Sequence, residues 1–419
     1  MPMKRVLMIA YHFPPLAGSS GIQRTLRFVQ HLPNFGWEPL VLTADQKAYE
    51  STSDDLLAEI PPRTVVRRTL ALDTARHLSI GGRYFNWMAQ PDRWISWKYS
   101  AVREGLRMIQ QYRPDAIWST YPIATAHLIG AELCEKTNLP WIADFRDPMA
   151  QEGYPADEKT WRSFKRVEEK AVELAKLCLF TTPGAARMYQ ERYPQQADRM
   201  IVLENGYDEE SFSSVTTDGD TNNQLNPGCL TFLHSGIVYP EERDPRQLFI
   251  VLAKLKDQKF IEKGDIKIRF RAAVHEELLH SLATEHGVSD FVEVCGSLPY
   301  REALAEMLRA DALLVLQASS CNEQIPAKIY EYLRARRPIV ALTDPLGDTA
   351  NVLRQAGLHW ICDLDSADRI ESGLKEWIHS LQENDAPIPD IEAVEQCSRR
   401  GRCLSLSGFL NSVLDHGTG

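Results

Sequence analysis

No run of 18 apolar residues occurs in this chain of 419, so no segment has the length of a transmembrane helix. It opens Met1-Pro2-Met3-Lys4-Arg5, then a short apolar run that stops at Tyr11-His12-Phe13-Pro14-Pro15. The longer apolar core and small-residue cleavage site of a secretory leader are missing, and the expected location is the cytoplasm. None of the eight cysteines (134, 178, 229, 295, 321, 362, 397, 403) forms a Cys-x-x-Cys pair. That scatter argues against zinc or a disulfide framework and for buried, reduced thiols. Positive charge is short as well. The net charge of −10 argues against a nucleic-acid binder. Neither a Gly-x-Gly-x-x-Gly nor a Walker A sequence is present. No Ser-His-Asp or Cys-His constellation can be placed, and no internal repeat stands out.

What is present is ordinary in bulk and ordered in pattern. A hydrophobic fraction of 44% suits a soluble globular protein, and the length suits two domains of about 200 residues each. Short apolar runs alternate with helical periodicity: Val6–Ala10, Pro39–Thr43, Ala116–Thr120, Trp141–Phe145, Leu179–Thr182 and Met200–Leu203. The pattern restarts at Leu230–His234 and continues through Ile266–Phe270, Val292–Val294, Ala312–Leu316 and Ile339–Leu342. Such alternation predicts parallel sheets with helices on both faces. Between the series, 209–228 is rich in Asp, Ser, Thr, Asn and Gly and reads as a linker. The expected organisation is a first domain over 1–208, completed by a helical segment at 390–419, and a second over 229–389. Two doubly wound α/β domains place a cleft between their strand C-terminal ends, where ligands of such sheets bind.

The most informative stretch runs from Cys321 to Leu333 (Cys-Asn-Glu-Gln-Ile-Pro-Ala-Lys-Ile-Tyr-Glu-Tyr-Leu). It follows an apolar strand and sets Glu323 and Glu331 eight apart, with Pro326 and Lys328 between them. Proline suits a first helical position, which predicts Pro326 in the first turn and Glu331 in the second. The helix N-terminus beside Lys328 suits a phosphate or pyrophosphate, and carboxylates on either side can hold sugar hydroxyls.

Three further loops carry chemistry. Pro14 to Arg24 contains Gly18, Ser19, Ser20 and Gly21 at the start of a helix, with Arg24 and Arg27 adding positive charge. Ala143-Asp144-Phe145-Arg146-Asp147-Pro148 puts three charges around one aromatic at a strand exit. His234-Ser235-Gly236 leads to Arg243, and Gly236 lets a pyrophosphate approach the backbone. Arg243 either pairs with that pyrophosphate bidentately or only with Glu241 or Asp244. The Asp-x-Asp matches at 218–220 and 363–365 read as solvated turns. His127 lies in an apolar helix and reads as packing. The stretch from Tyr84 to Lys98, dense in aromatics and flanked by Arg76, Arg83 and Arg103, is either a membrane-interface surface or a hydrophobic subcore under a long loop.

Taken in this order, the loops resemble a GT-B glycosyltransferase of family GT4, of the bacterial surface-polysaccharide type. The resemblance covers nearly the whole chain. It is carried most by His12 to Arg24, Asp144 to Pro148, Asn205-Gly206-Tyr207-Asp208, His234 to Pro245 and Glu323 to Leu333. It implies two Rossmann-like domains facing each other across a cleft. It also implies a retaining transfer of a sugar from a nucleotide-diphosphate sugar to a hydroxyl, in polysaccharide or glycolipid assembly. By the same resemblance Glu323 lies by the donor sugar, Glu331 holds the ribose, and Arg243 and Lys328 grip the diphosphate. Ser235 and Gly236 line the diphosphate site, Ser297 and Leu298 the base. The loop Gly18, Ser19 and Gly21 closes over phosphates or acceptor. Arg146 and Asp147, with Glu323, are the catalytic candidates, although many relatives carry His-Asp where this chain has Arg146-Asp147. The basic residues after Gly236 are also spaced unlike the commonest family form. No cofactor and no metal are expected. The expected partners are a nucleotide sugar and a sugar or lipid-linked acceptor, with weak peripheral contact at the inner membrane face and no nucleic acid. The rival readings are a nucleotide-sugar epimerase of the same fold and an inactive GT-B partner subunit.

Overall fold

The computed structural model describes residues 3–17, 20–217 and 224–415. Thirteen described strands form two wholly parallel sheets. In the first, β1 (Lys4–Ile9), β2 (Trp37–Ala44), β3 (Val65–Thr69), β4 (Ala116–Thr120), β5 (Trp141–Arg146), β6 (Leu177–Phe180) and β7 (Met200–Val202) lie in the order β3-β2-β1-β4-β5-β6-β7. In the second, β8 (Leu230–Ser235), β9 (Ile266–Arg271), β10 (Val292–Cys295), β11 (Ala312–Gln317), β12 (Ile339–Thr343) and β13 (Ile361–Cys362) lie in the order β10-β9-β8-β11-β12-β13. Every residue of β4, β11 and β12 is buried. That is why they read as continuous apolar runs: a parallel strand is covered on both faces. In each sheet the winding reverses once, at β1/β4 and at β8/β11. Ligands of doubly wound sheets bind beyond the strand ends at that reversal.

The chain divides into two compact units. One holds residues up to Asn205 together with those from Arg399 onward, and the other runs from Gly206 to Ser398. Two boundaries differ from those expected. Residues 209–217 are not linker but a helix, Glu209–Thr217. Its Phe212 is fully buried beside Tyr207 and Val215, and Arg334 donates to both carboxylate oxygens of Glu209 at 2.5 and 2.6 Å. A polar composition hid three apolar residues that share one core. The helix Ile391–Gln396 also belongs to the second unit, through buried Val394. Only the last helix, Arg399–Asp415, joins the first unit. Its Cys403, Leu406, Leu410 and Val413 share a core with Val6, Met8 and Trp118.

Most of the aromatic-basic stretch is subcore. Trp97 is buried and donates to Thr69 Oγ1 at 2.9 Å, and Trp94 packs on Tyr11 with ring centroids 4.8 Å apart. Arg93 pairs with Glu50 and Asp73, Lys98 with Glu132 at 3.0 Å, and Arg76 donates to the Tyr49 carbonyl at 2.7 Å. These side chains face the protein because each has a partner in it. Its exposed part includes Tyr84, Phe85 and Trp87, with Phe85 and Trp87 stacked and each 71% exposed, and Ile80 just before it is 87% exposed. Among the described residues no helix is long and apolar enough to cross a membrane.

Candidate functional site

In the second unit the reversal at β8/β11 brings together residues 94 positions apart. His234 is the last fully buried residue of β8. Its Nδ1 lies 3.0 Å from the Leu314 carbonyl of neighbouring β11. A carbonyl only accepts, so Nδ1 carries the proton and Nε2 is left as an acceptor. Lys328 Nζ fills that role as donor, 2.9 Å from His234 Nε2, and donates also to the Ser235 carbonyl at 3.1 Å. Burial, then the lysine, holds the His234 imidazole well below its ordinary pKa. Burial, then Arg243, holds the Lys328 amine well below its own.

Gly236 follows with φ 126°, a conformation that favours glycine. A Cβ there would stand 3.3 Å from Lys328 Nζ, so the glycine makes room for the amine. The Gly236 N–H donates to the Arg271 carbonyl and the Ser235 N–H to the Tyr332 hydroxyl, each at 2.8 Å. Both N–H groups are therefore engaged within the unit. Arg243 does not pair with Glu241 or Asp244. It donates to the Ile237 carbonyl at 2.6 Å and lies over the Tyr239 ring at 5.2 Å, while Asp244 pairs with Arg246.

The helix after β11 starts later than the proline predicts. It spans Lys328–Ala335, with Ala327 as its N-cap, and puts Glu331 in the first turn. Pro326 precedes it, and its carbonyl accepts from the Ile329 N–H at 3.0 Å. The buried side chain of Ile325 ties down the approach. Tyr300 donates to Glu331 Oε1 at 2.8 Å. This bond links the helix to the loop after β10, where Ser297 is exposed and Leu298 half-buried. Glu323 stands exposed on the loop after β11. That loop is braced by Asn322 on Asp344 at 2.6 Å and by Gln317 on the Cys321 and Gln324 carbonyls. The second Asp-x-Asp match is a turn in which Asp363 accepts from the Asp365 N–H at 3.0 Å. The first, at 218–220, lies outside the described residues.

In the first unit the corresponding reversal gathers Gly21, His12, Arg146 and the neighbouring Asp147. Gly21 is the second residue of the helix Ser20–His31. A Cβ on it would lie 2.5 Å from Arg146 Nη1 and 2.8 Å from His12 Nδ1, closer than such contacts allow. Arg146 ends β5 at a bulge with φ 61°. It donates to the Tyr121 carbonyl at 3.3 Å, and its buried Nε has no partner among the described residues. Burial lowers the Arg146 pKa, against the opposing pull of Asp147. Burial, then Arg146, pushes the His12 imidazole down to about 4. Asp147 is exposed and accepts from Thr181 Oγ1 at 3.3 Å. Gly18 and Ser19 lie outside the described residues.

Arg24 and Arg27 do not supply the glycine loop with unbalanced charge. Arg24 meets both oxygens of buried Asp144 at 3.0 Å and donates to the Leu203 and Glu204 carbonyls. Arg27 pairs with Glu59 and Gln30. Asp144 accepts from Thr120 as well, so its role is to tie the helix to β4, β5 and the end of the sheet. His127 is buried and bonded to Ser119 at 2.8 Å, a packing residue. The reading of the sequence missed His12, His234, Tyr300 and Tyr332 as site components. His234 had a signal, a histidine at the last buried position of an apolar strand. Tyr300 had none, because its partner lies 31 residues away.

Two doubly wound parallel sheets, the second with a lysine and an arginine beyond its strand ends, give the chain a GT-B fold like that of known glycosyltransferases. Residues 20–206 match the family model of a glycosyl transferase 4-like domain. No curated protein matches the chain in sequence. Among solved structures it is similar to sucrose-phosphate synthase from Thermosynechococcus elongatus, with TM-score 0.63 and 14% identity over 99% of this chain and 100% of that one. It is similar also to HepE from Anabaena in complex with UDP and glucose, with TM-score 0.59 and 14% identity over 98% and 100%. A UDP-GlcNAc 2-epimerase from Neisseria meningitidis, bound to UDP-GlcNAc, matches at TM-score 0.51 and 9% identity over 98% and 100%.

Proposed function

We propose that this protein is a retaining glycosyltransferase that moves a sugar from a nucleotide-diphosphate sugar to a hydroxyl acceptor, in polysaccharide or glycolipid assembly. The observation that carries the reading is the meeting of Lys328 and Arg243 beyond β8 and β11. Breaking the bond to the anomeric carbon leaves negative charge on the diphosphate. Two fixed cations at the site stabilise that charge where it develops, without reorganising water. Glu331, held by Tyr300, is oriented to accept ribose hydroxyls, and the Ser297–Leu298 loop tied to it lies where a base is read. Glu323 is assigned to the donor sugar. Ser235 and Gly236 shape the lysine's side of the pocket. In the first unit Gly18, Ser19, Gly21, Arg146 and Asp147 are assigned to the reacting sugar and acceptor. No cofactor is needed, and no metal, because the leaving charge is met by side chains. Retention is then a front-face departure in which no protein nucleophile takes part.

The acceptor is a sugar or a lipid-linked sugar, and the exposed Ile80, Phe85 and Trp87 are apolar enough for weak peripheral contact at the inner face of a membrane. Epimerisation is the second reading, supported by the epimerase likeness of the fold. Incubation with a panel of nucleotide sugars, followed by NMR, separates the two. A new nucleotide sugar would mean epimerisation. Slow release of a free sugar with unchanged anomeric configuration is expected of a retaining transferase lacking its acceptor. Absence of binding to every donor would reject both and favour an inactive partner subunit. Glu331→Ala should weaken the nucleotide sugar in ground and transition states alike, whereas Glu323→Ala should mainly lower kcat. Identical kinetic signatures would dissolve that division of roles.

A further inference from the structure

The Lys328 amine sits among uncharged acceptors. Its two hydrogen-bond partners among the described residues are His234 Nε2 and the Ser235 carbonyl. The histidine is fixed as a neutral acceptor by its other nitrogen, which donates to Leu314. From the loop after β8 the nearest charge is Arg243, which repels an ammonium. From its own helix the one attracting group is Glu331, one turn on, whose Oε1 already accepts from Tyr300 of the helix Tyr300–Arg309. Tyr332 faces the same pocket as a neutral hydroxyl bonded to the Ser235 N–H. A neutral amine has two N–H bonds and one lone pair. The two N–H bonds are accounted for by His234 and Ser235, and the lone pair occupies the third direction.

We propose that Lys328 is a proton-linked anion receptor: it stands as the neutral amine when the site is empty and takes up a proton when a nucleoside diphosphate binds. In balance, one proton passes from buffer to the Nζ lone pair, an N–H bond forms, and the new N–H donates to a phosphoryl oxygen. The other two N–H bonds stay on His234 and Ser235. The direction agrees with the depressed affinity of the buried amine for a proton in the empty site and with the gain that an adjacent anion brings to the charged form. His234 thereby acts as a positioning residue, holding the amine while remaining neutral. This inference rests on the proposed diphosphate site and goes beyond it, since a permanently charged lysine would serve that site equally well.

The sign follows from linkage. A lysine whose pKa is low in the free protein and higher in the complex binds its extra proton between those two values, and affinity there falls as pH rises. The test is calorimetry of UDP, GDP and ADP at about pH 8, well above the ionisation of the terminal phosphate near 6, in buffers of differing ionisation heat. The expected result is uptake of about half to one proton per bound diphosphate, with Kd rising by up to about tenfold per pH unit. Lys328→Arg carries its charge at every such pH and should bind with no uptake. Binding of a diphosphate without proton uptake and with a flat pH profile would overturn this inference and leave the diphosphate site intact. Uptake that persists in Lys328→Arg would overturn it too. If none of the three nucleotides binds, the diphosphate site itself falls, and the inference with it.

Discussion

The two sheets present opposite electrical situations at equivalent places. Beyond β1 and β4 the cations are balanced: Arg24 meets Asp144, Arg27 meets Glu59, and Arg146 has Asp147 beside it. Beyond β8 and β11, Lys328 and Arg243 share a pocket in which a neutral histidine and backbone carbonyls are their partners. Topology places a site at the reversal of each sheet, but the residual charge decides what each can hold. The second suits a diphosphate. The first, with one guanidinium pressed between a glycine and a neutral His12, suits the positioning of a polar group.

The contrast breaks most readily at the lysine. Lys328→Ala and Arg243→Ala should each weaken UDP binding by about 1.5–3 kcal/mol, the range for hydrogen bonds to charged groups, while Arg146→Ala leaves it within about twofold on this division of labour. Calorimetry on the three variants decides. Equal losses in all three would erase the distinction between the sites.

Next in size is Gly21→Ala. The added methyl must displace Arg146 or His12, and a misplacement of about 1 Å in a reacting geometry costs roughly 100-fold in rate. Alanine at this helical position is otherwise favourable by about 0.5–1 kcal/mol. The melting temperature should therefore hold while kcat/KM collapses. A variant that keeps full activity would show that the Gly21–Arg146 contact has no part in transfer.

A smaller effect is expected at the link between Glu331 and the loop after β10. Tyr300→Phe removes one hydrogen bond, worth about 1 kcal/mol. It should raise the KM for the nucleotide sugar several-fold with kcat little changed. A selective fall in kcat would move Tyr300 to the reacting centre. The smallest expected effect is none: turnover in excess EDTA should match turnover without it. Loss in EDTA with rescue by magnesium or manganese would bring back the Asp-x-Asp turns as metal candidates.

The central strands were legible because they are buried on both faces, so runs such as Ala312 to Leu316 stand out against any background, whereas the half-buried edge strands β3 and β13 gave no such run. The loop from Cys321 to Leu333 was legible because proline, lysine and two glutamates fall within a dozen positions. Other features depended on partners that lie far off in sequence. Arg24 looked like charge for a glycine loop until Asp144, 120 residues on, took both its faces. Arg93 and Lys98 looked like membrane anchors until Glu50, Asp73 and Glu132 came beside them. The helix at Glu209–Thr217 was hidden by its polar composition, since one phenylalanine and one valine are enough to dock a nine-residue helix. Glu331 was placed on the right helix but one turn too deep, because Pro326 precedes the first turn instead of opening it.

The route of the chain has a consequence for how the protein is made. The first unit lacks one wall until its last helix arrives, and that helix follows the whole of Gly206–Ser398 in the order of synthesis. On the ribosome, Val6, Met8, Leu26 and Val29 must therefore wait for Cys403, Leu406, Leu410 and Val413, which share their core. A stop codon near position 400 would leave every assigned site residue in place and still strip the unit at the opposite end of the sequence of part of its core. The helix from Arg399 to Asp415 thus acts as a completion signal: the first sheet gains its full stability only in chains translated through Asp415.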